Sequence, residues 1–142
     1  MIHGPAVIDT NVVVSGVLTR LAASPTARIL DGMLAGRFRY LLSIELLAEY
    51  REVLLRPRIR RRHGLSEADV DMLLTELAAN GIVLGPERSG RERRKRGDEH
   101  LWELLAAGAS ATLVTGDQHL IDEPVGGAKV MSARDFADTI EG

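Results

Sequence analysis

Four acidic residues are the strongest candidates for chemistry in this chain: Asp9, Glu49, Asp98 and Asp117. Asp9 and Asp117 directly follow short apolar runs, whereas Glu49 and Asp98 lie on or at the start of predicted helices. Carboxylates that a fold brings together at one edge of a sheet usually bind divalent metal ions. The pattern therefore predicts a metal site of the kind used in phosphate chemistry.

The runs before Asp9 and Asp117 predict buried parallel strands. Ala6-Val7-Ile8 and the run from Ala111 to Val114 are nearly all apolar rather than alternating, as expected of strands covered on both faces. In open parallel sheets, ligands bind beyond the carboxyl ends of the strands, which is where both acids stand. The alternative for each acid is a turn or helix N-cap, which is common for Asp after a strand.

Length and composition exclude several classes of protein. A chain of 142 residues with 45% hydrophobic content predicts a single domain over residues 1–142, and a net charge of −2 argues against an overall basic nucleic-acid binder. The absence of cysteine excludes disulfides and thiolate metal sites. We also expect a cytoplasmic protein without a membrane segment, because no signal peptide is recognisable and no apolar run approaches the ~20 residues that span a bilayer.

Alternating strand and helix signals predict the elements that must position the four acids. We expect helices over about residues 11–19, 26–35, 44–55, 66–80, 98–107 and 132–140, and further strands over 38–42, 82–84 and 128–131. The clearest helix boundaries are Ser24-Pro25 before a helix, Ser43 before the helix that carries Glu49, and the capping-box spacing of Ser66 with Asp69. Pro57 is expected to end the helix of Glu49. Strands separated by helices predict an α/β/α sandwich with a central parallel sheet and right-handed crossovers.

The acidic motifs, taken in order, resemble those of PIN-domain ribonucleases. The nearest branch is the VapC-like group of toxin components from toxin–antitoxin pairs. The similar segments cover nearly the whole chain: residues 7–16, 43–50, 98–108, 114–120 and 129–136.

The resemblance implies a PIN-like fold and a metal-dependent endoribonuclease that uses Mg²⁺ or Mn²⁺. By position, the catalytic and metal-binding quartet would be Asp9, Glu49, Asp98 and Asp117, with Asn11 and Thr115 as polar supporting residues. The resemblance also implies an RNA substrate, a cognate antitoxin and a homodimer. The chemistry agrees with the residues, because crowded carboxylates repel one another and a divalent ion relieves that repulsion.

Two positions in this assignment have competitors. Glu99 follows Asp98 and would point about 100° further around the helix. Asp98 is preferred because it stands ten residues before Gly108, as the family pattern requires. Glu45 precedes Glu49 by one helical turn, so both could approach the site, but Glu49 fits the family spacing from Ser43.

Basic residues and histidines each have more than one interpretation. One arginine-rich cluster spans residues 56–63 and a second spans 88–96, and either could contact an RNA backbone, lie on a solvated surface or dock an acidic partner. The histidines His3, His63, His100 and His119 lack metal-ligand spacing, so we expect surface or capping roles. Trp102 is expected in the core or at an interface.

Other functional classes fit less well. An aspartyl phosphatase would need a second Asp two residues after Asp9, where the chain has Asn11, and a receiver domain would need a suitably placed lysine after a late strand. The serious rival is a catalytically inactive PIN-like module that binds RNA or a protein.

Overall fold

The computed structural model describes residues 4–85, 99–107, 110–124 and 128–140. The helices are α1 Thr10–Leu18, α2 Pro25–Ala35, α3 Ile44–Leu54, α4 Pro57–His63, α5 Glu67–Asn80, α6 Glu99–Ala107, α7 Gln118–Asp122 and α8 Ala133–Ala137. The strands are β1 Ala6–Ile8, β2 Leu41–Leu42, β3 Ile82–Val83, β4 Thr112–Thr115 and β5 Lys129–Ser132. Within the described ranges, no helix is long and apolar enough to cross a membrane.

All five described strands run parallel. β1, β4 and β5 form one sheet in that order, and β2 pairs with β3. A parallel bridge between Ala6 and Tyr40, with the Ala6 amide donating to the Arg39 carbonyl at 3.0 Å, joins the two sheets. The spatial order is therefore β3-β2-β1-β4-β5, and the predicted α/β sandwich with a central parallel sheet is confirmed.

This strand order determines where the acids stand. β1 and β4 are neighbours at the centre, with Ile8 paired with Val114. Asp9 and Asp117 follow these two strands and so lie at the same edge of the sheet. The two acids therefore lie beyond the carboxyl ends of adjacent parallel strands, as the two apolar runs predicted.

Most helix boundaries follow the capping residues predicted from the sequence. Ser24 caps α2 with Pro25 in its first turn, and Gly36 ends it in the left-handed conformation at φ 70°. Ser43 caps α3, and Ser66 with Asp69 forms the predicted capping box of α5. Local side-chain to backbone hydrogen bonds therefore define these ends without help from distant residues.

Two predicted extents are wrong, and one helix was not predicted. The second strand covers only Leu41–Leu42, and the last helix ends at Ala137 rather than near 140. Pro57 does not simply terminate the helix before it: α3 ends at Leu54, and Pro57 begins α4, which the sequence analysis missed. Proline suits the first turn of a helix, because its ring presets φ and no partner is needed there for an amide hydrogen. The second arginine-rich cluster, at residues 88–96, and the predicted helix start at Asp98 lie outside the described residues.

Two buried tyrosines connect the helices to the sheet. The Tyr50 hydroxyl of α3 donates to the Ile8 carbonyl at 2.6 Å, and the Tyr40 hydroxyl donates to the Leu77 carbonyl of α5 at 2.7 Å. Burial raises the pKa of Tyr40 to about 12, and it raises the pKa of Tyr50 well above its ordinary value, with smaller contributions from Asp9, Tyr40 and Glu49. The bond from Tyr50 holds α3 against the residue that precedes Asp9.

Candidate functional site

A cleft of about 730 Å³ opens at the carboxyl ends of β1 and β4. Its lining includes three of the predicted acids, Asp9, Glu49 and Asp117, together with Arg56 and Arg62. These residues come from four separate parts of the chain, namely the β1–α1 junction, α3, the segment from Arg56 through α4, and the β4–α7 junction. The cleft is where the fold brings the scattered acids together.

Asp9 is the most enclosed of these acids, with 7% of its surface exposed. It is the N-cap of α1, and its Oδ1 accepts from the Thr10 amide at 2.8 Å. Its Oδ2 accepts from the Thr115 hydroxyl at 2.7 Å. The capping role and the place in the cleft therefore coincide in one residue, so the two interpretations of Asp9 do not exclude each other.

A hydrogen-bond network joins the start of α1 to the end of β4. The Thr115 hydroxyl, which donates to Asp9, also accepts from the Asp117 amide at 3.0 Å. The Asn11 side-chain oxygen accepts from the Gly116 amide at 2.9 Å, and its nitrogen lies 3.4 Å from Asp9 Oδ2. Both predicted supporting residues thus lie within this network.

Asp117 lies at the exposed side of the cleft. It is the N-cap of α7, and its Oδ1 accepts from the His119 amide at 3.0 Å. Its other carboxylate oxygen has no hydrogen-bond partner among the described residues. Asp117 is therefore oriented by one bond and keeps one oxygen open.

Glu49 reaches the cleft from the middle of α3. The Thr10 hydroxyl donates to Glu49 Oε1 at 2.8 Å, and His100 Nε2 lies 3.1 Å from the same oxygen. The neighbouring Tyr50 fixes this stretch of α3 to β1. Glu45 is exposed and is not part of the cleft lining, so of the two competing positions only Glu49 lies in the cleft.

His100 is a contact that the sequence analysis missed, and the predicted surface or capping role is wrong for it. The residue is buried, with 9% of its surface exposed. Its position four residues before Leu104 and next to Leu101 placed it on the apolar stripe of α6, which is the signal that could have indicated burial. His63 does have a capping role, because its Nε2 lies 2.8 Å from the Leu54 carbonyl and its Nδ1 accepts from the Leu65 amide.

Comparison with protein families matches the sequence of this chain to one of them. The profile of the PIN domain matches residues 5–119, which is well over half of the chain. The chain belongs to the PIN-domain family. PIN domains are generally nucleases that use divalent metals, so a nuclease-type function follows for this PIN domain at the level of the family. A search of curated proteins found no match.

The described residues of this PIN domain fit a divalent metal in kind, but not as a complete ligand set. Carboxylate oxygens are the ligands that Mg²⁺ and Mn²⁺ prefer, and Glu49 and Asp117 each keep one oxygen without a hydrogen-bond partner in the described ranges. Across those same ranges, however, no group of three or more Asp, Glu or His side chains is placed closely enough to hold a metal ion. Asp98 and the side chain of its competitor Glu99 lie outside what the structure describes.

Two arginines give the acidic cleft a positive side. Arg56 pairs with Glu52 at 2.9 Å, one turn earlier in the chain, with both side chains largely exposed. Arg62 is exposed and has no ion-pair partner in the part of the chain that the structure describes. Arg62 is therefore the cleft arginine that is better placed to contact an added anion. The second predicted basic cluster, at residues 88–96, lies outside the described ranges.

Proposed function

We propose that this protein is a metal-dependent endoribonuclease that hydrolyses phosphodiester bonds of RNA and acts as the toxin of a toxin–antitoxin pair. The observation that carries the proposal is the common position of Asp9, Glu49 and Asp117 in one cleft of a PIN domain. These residues are far apart in sequence, and the strand order and the α3–β1 contact help to bring them together.

In this proposal the ligands of Mg²⁺ or Mn²⁺ are Asp9, Glu49, Asp117 and Asp98. A divalent ion, when bound, lowers the pKa of a water molecule and offsets charge on the phosphate oxygens. Asp9 supplies a fixed carboxylate, because both of its oxygens already accept hydrogen bonds from Thr10 and Thr115. Glu49 and Asp117 supply the oxygens that remain open.

Thr115 and Asn11 act as the supporting residues. Thr115 donates to Asp9 while accepting from the Asp117 amide, so a single hydroxyl sets the relative positions of two acids. Asn11 ties the Gly116 amide to the start of α1. Ligands held in place before substrate arrives reduce the cost of ordering them during the reaction.

The charges that line the cleft support a nucleic-acid substrate. An acidic cleft repels a phosphate backbone unless nearby cations offset the repulsion. Arg62 and Arg56 line the same cleft, and guanidinium groups suit bidentate contact with phosphate oxygens. We propose that these side chains attract the RNA strand to the acids.

The toxin role, the cognate antitoxin and the homodimer are supported by the sequence resemblance to the VapC-like branch. Exposed apolar side chains on the described surface, such as Ile44, Met72 and Leu21, are available for a protein partner. Light scattering of the purified chain alone tests the homodimer. The same measurement with the product of any adjacent short reading frame tests the antitoxin. A chain that stays monomeric and does not bind that product would contradict the toxin assignment without affecting the nuclease assignment.

The experiment that tests the nuclease is cleavage of a mixed RNA pool by the purified protein with Mg²⁺, with Mn²⁺ or with EDTA. Asp9→Asn and Asp117→Asn are assayed in parallel, because each keeps the size of the side chain and removes its charge. We expect cleavage that requires metal and that falls about 100-fold or more in both variants. Cleavage that persists in EDTA, or in both variants, would contradict the proposed chemistry.

A second candidate is a PIN domain that binds RNA or protein without cutting it. One observation favours it: the described acids do not by themselves form a three-residue metal site. Folded wild-type protein that binds RNA but cuts none of it under any metal would select this candidate.

A further inference from the structure

We propose that His100 is a positioning residue that fixes the Glu49 carboxylate with its Oε2 turned to the cleft. This inference rests on the proposed function, in which Glu49 is a metal ligand. It assigns a role to a buried side chain that neither the acidic quartet nor its supporting residues include.

Both described hydrogen-bond contacts of the Glu49 carboxylate are made to the same oxygen, Oε1. His100 Nε2 and the Thr10 hydroxyl both lie within hydrogen-bond distance of Oε1, at 3.1 and 2.8 Å. Oε2 has no hydrogen-bond partner among the described residues, and the Glu49 side chain is 35% exposed where it lines the cleft. Two donors on one oxygen leave Oε2 as the oxygen that would bind a metal ion.

The protonation pattern of His100 follows from the same contact. An ionised carboxylate can only accept hydrogen bonds, so Nε2 must carry the proton. In the neutral ring Nδ1 is then an acceptor, and in the described structure it is buried without a hydrogen-bond partner. An unpaired buried polar atom opposes folding.

Packing alone does not explain this histidine. Its neighbours on the buried stripe of α6, Leu101 and Leu104, fill the core without unpaired atoms. A leucine at position 100 would avoid the unpaired nitrogen but would lose the bond to Glu49. Among the described residues, the hydrogen bond of Nε2 with Glu49 is the polar contact that can offset the cost of the unpaired Nδ1.

Residues that hydrogen-bond to a metal ligand without touching the ion have measurable effects on the affinity for the metal. Removing such a partner typically weakens metal binding or activity by about 10- to 100-fold. The effect requires no contact between His100 and the ion. It arises because a ligand that can rotate away must be ordered again on binding.

The test compares His100→Leu with His100→Gln in the full chain. Leucine removes the donor, whereas glutamine keeps an amide N–H that can reach Glu49. With Mn²⁺ titrated by calorimetry, we expect the Kd of His100→Leu to rise about tenfold or more and that of His100→Gln to stay nearer wild type. Without metal, the Tm of His100→Leu should equal or exceed that of wild type, because the unpaired Nδ1 is gone.

A double variant distinguishes positioning from a general structural effect. In Glu49→Gln protein, the additional His100→Leu change should not weaken Mn²⁺ binding further, since the ligand that His100 orients is already lost. Wild-type affinity in His100→Leu, or an equal loss in both backgrounds, would overturn the inference.

A metal-free measurement separates this inference from the proposed function. ¹⁵N NMR of the four histidines, with the His100 signals identified by their loss in His100→Leu, reports which ring nitrogen carries the proton. We expect the Nε2-protonated tautomer for His100, and its Nδ1-protonated form would overturn the contact. Absence of Mn²⁺ binding by wild type, with the expected tautomer present, would contradict the proposed function and the metal-orienting role while leaving the contact.

Discussion

Asp9 and Asp117 follow adjacent strands and cap the helices after them, yet the two regions around them differ sharply. Around Asp9, the cleft floor is formed by Asp9 and Thr10, with Thr115 behind them as a hydrogen-bond donor to Asp9, and all three residues are buried. The cleft rim is formed by three exposed lining residues, Asp117, Arg56 and Arg62. The same local pattern, an acid between a strand and a helix, therefore gives two different carboxylates. Both oxygens of Asp9 are held by hydrogen bonds, whereas one oxygen of Asp117 is open.

The difference comes from what each helix packs against. α1 has nine residues and contacts α2, α3 and α4, so the chain around Asp9 is covered on several sides. α7 has five residues and, among the described elements, packs mainly against β4 and β5. A carboxylate held by packed elements is preorganised, whereas one on a short surface helix can adjust to a ligand.

The largest expected difference between floor and rim is in stability. Asp9→Ala leaves the buried Thr115 hydroxyl and the Thr10 amide without their acceptor, which should cost about 2–4 kcal/mol. Asp117→Ala removes an exposed N-cap and should cost only about 1 kcal/mol. Urea unfolding measures both changes, and equal losses would show that the floor is no more rigid than the rim.

Thr115→Val tests the floor without touching an acid. Valine has a similar shape but cannot donate to Asp9 or accept from the Asp117 amide, so we expect a loss of about 1–3 kcal/mol and about tenfold slower RNA cleavage. Thr112→Val is the matched control, because Thr112 is buried in the same strand and its hydroxyl has no hydrogen bond among the described residues. Equal effects of the two substitutions would assign the loss to β4 packing rather than to the site.

The Tyr50 contact beneath the floor gives a pH dependence. Burial raises the pKa of Tyr50 above its ordinary value, so the unfolded chain loses this proton first as pH rises past about 10. Stability should therefore be fully present below pH ~10 and should fall above it, by up to about 1.4 kcal/mol per pH unit for each such group. Tyr40, with a pKa of about 12, contributes in the same direction.

Tyr50→Phe should flatten that decline while lowering stability at pH 7 by about 1–2 kcal/mol, because the Ile8 carbonyl loses its donor. Tyr40→Phe is the comparison, since it removes a similar group that does not touch β1 next to Asp9. Thermal unfolding from pH 7 to pH 11 measures the slopes. An unchanged slope in Tyr50→Phe would show that this hydroxyl does not control alkaline stability.

The smallest expected effect is at the rim. Arg62→Ala should weaken RNA binding by several-fold and lower the salt dependence of log K by about 0.7, as expected for one lost phosphate contact to a single strand. Arg58→Ala, on the same helix but not in the cleft lining, removes the same charge and should have a smaller effect. Fluorescence anisotropy with Asp9→Asn protein measures binding without cleavage. Equal effects would mean that only the overall charge of α4 matters.

The sequence by itself determined the elements whose signals are local. Caps such as Ser24, Ser43 and Ser66, with the apolar runs before Asp9 and Asp117, were sufficient to predict most helices, the parallel sheet and the α/β class. These signals succeed because the stabilising bonds join residues only a few positions apart. The order of these acids along the chain also resembled the pattern of the PIN-domain family, and the family profile shows that the chain belongs to it.

Only the tertiary structure decided which side chains meet. The hydrogen bond from Thr10 to Glu49, the burial of His100 against Glu49, and the position of α4 beside the cleft depend on contacts between residues distant in sequence. Short-range patterns carry no information about such contacts, because they depend on how α3 and α6 pack against the sheet. Each is a property of the assembled core, in which Tyr50 and the central strand order fix the distances.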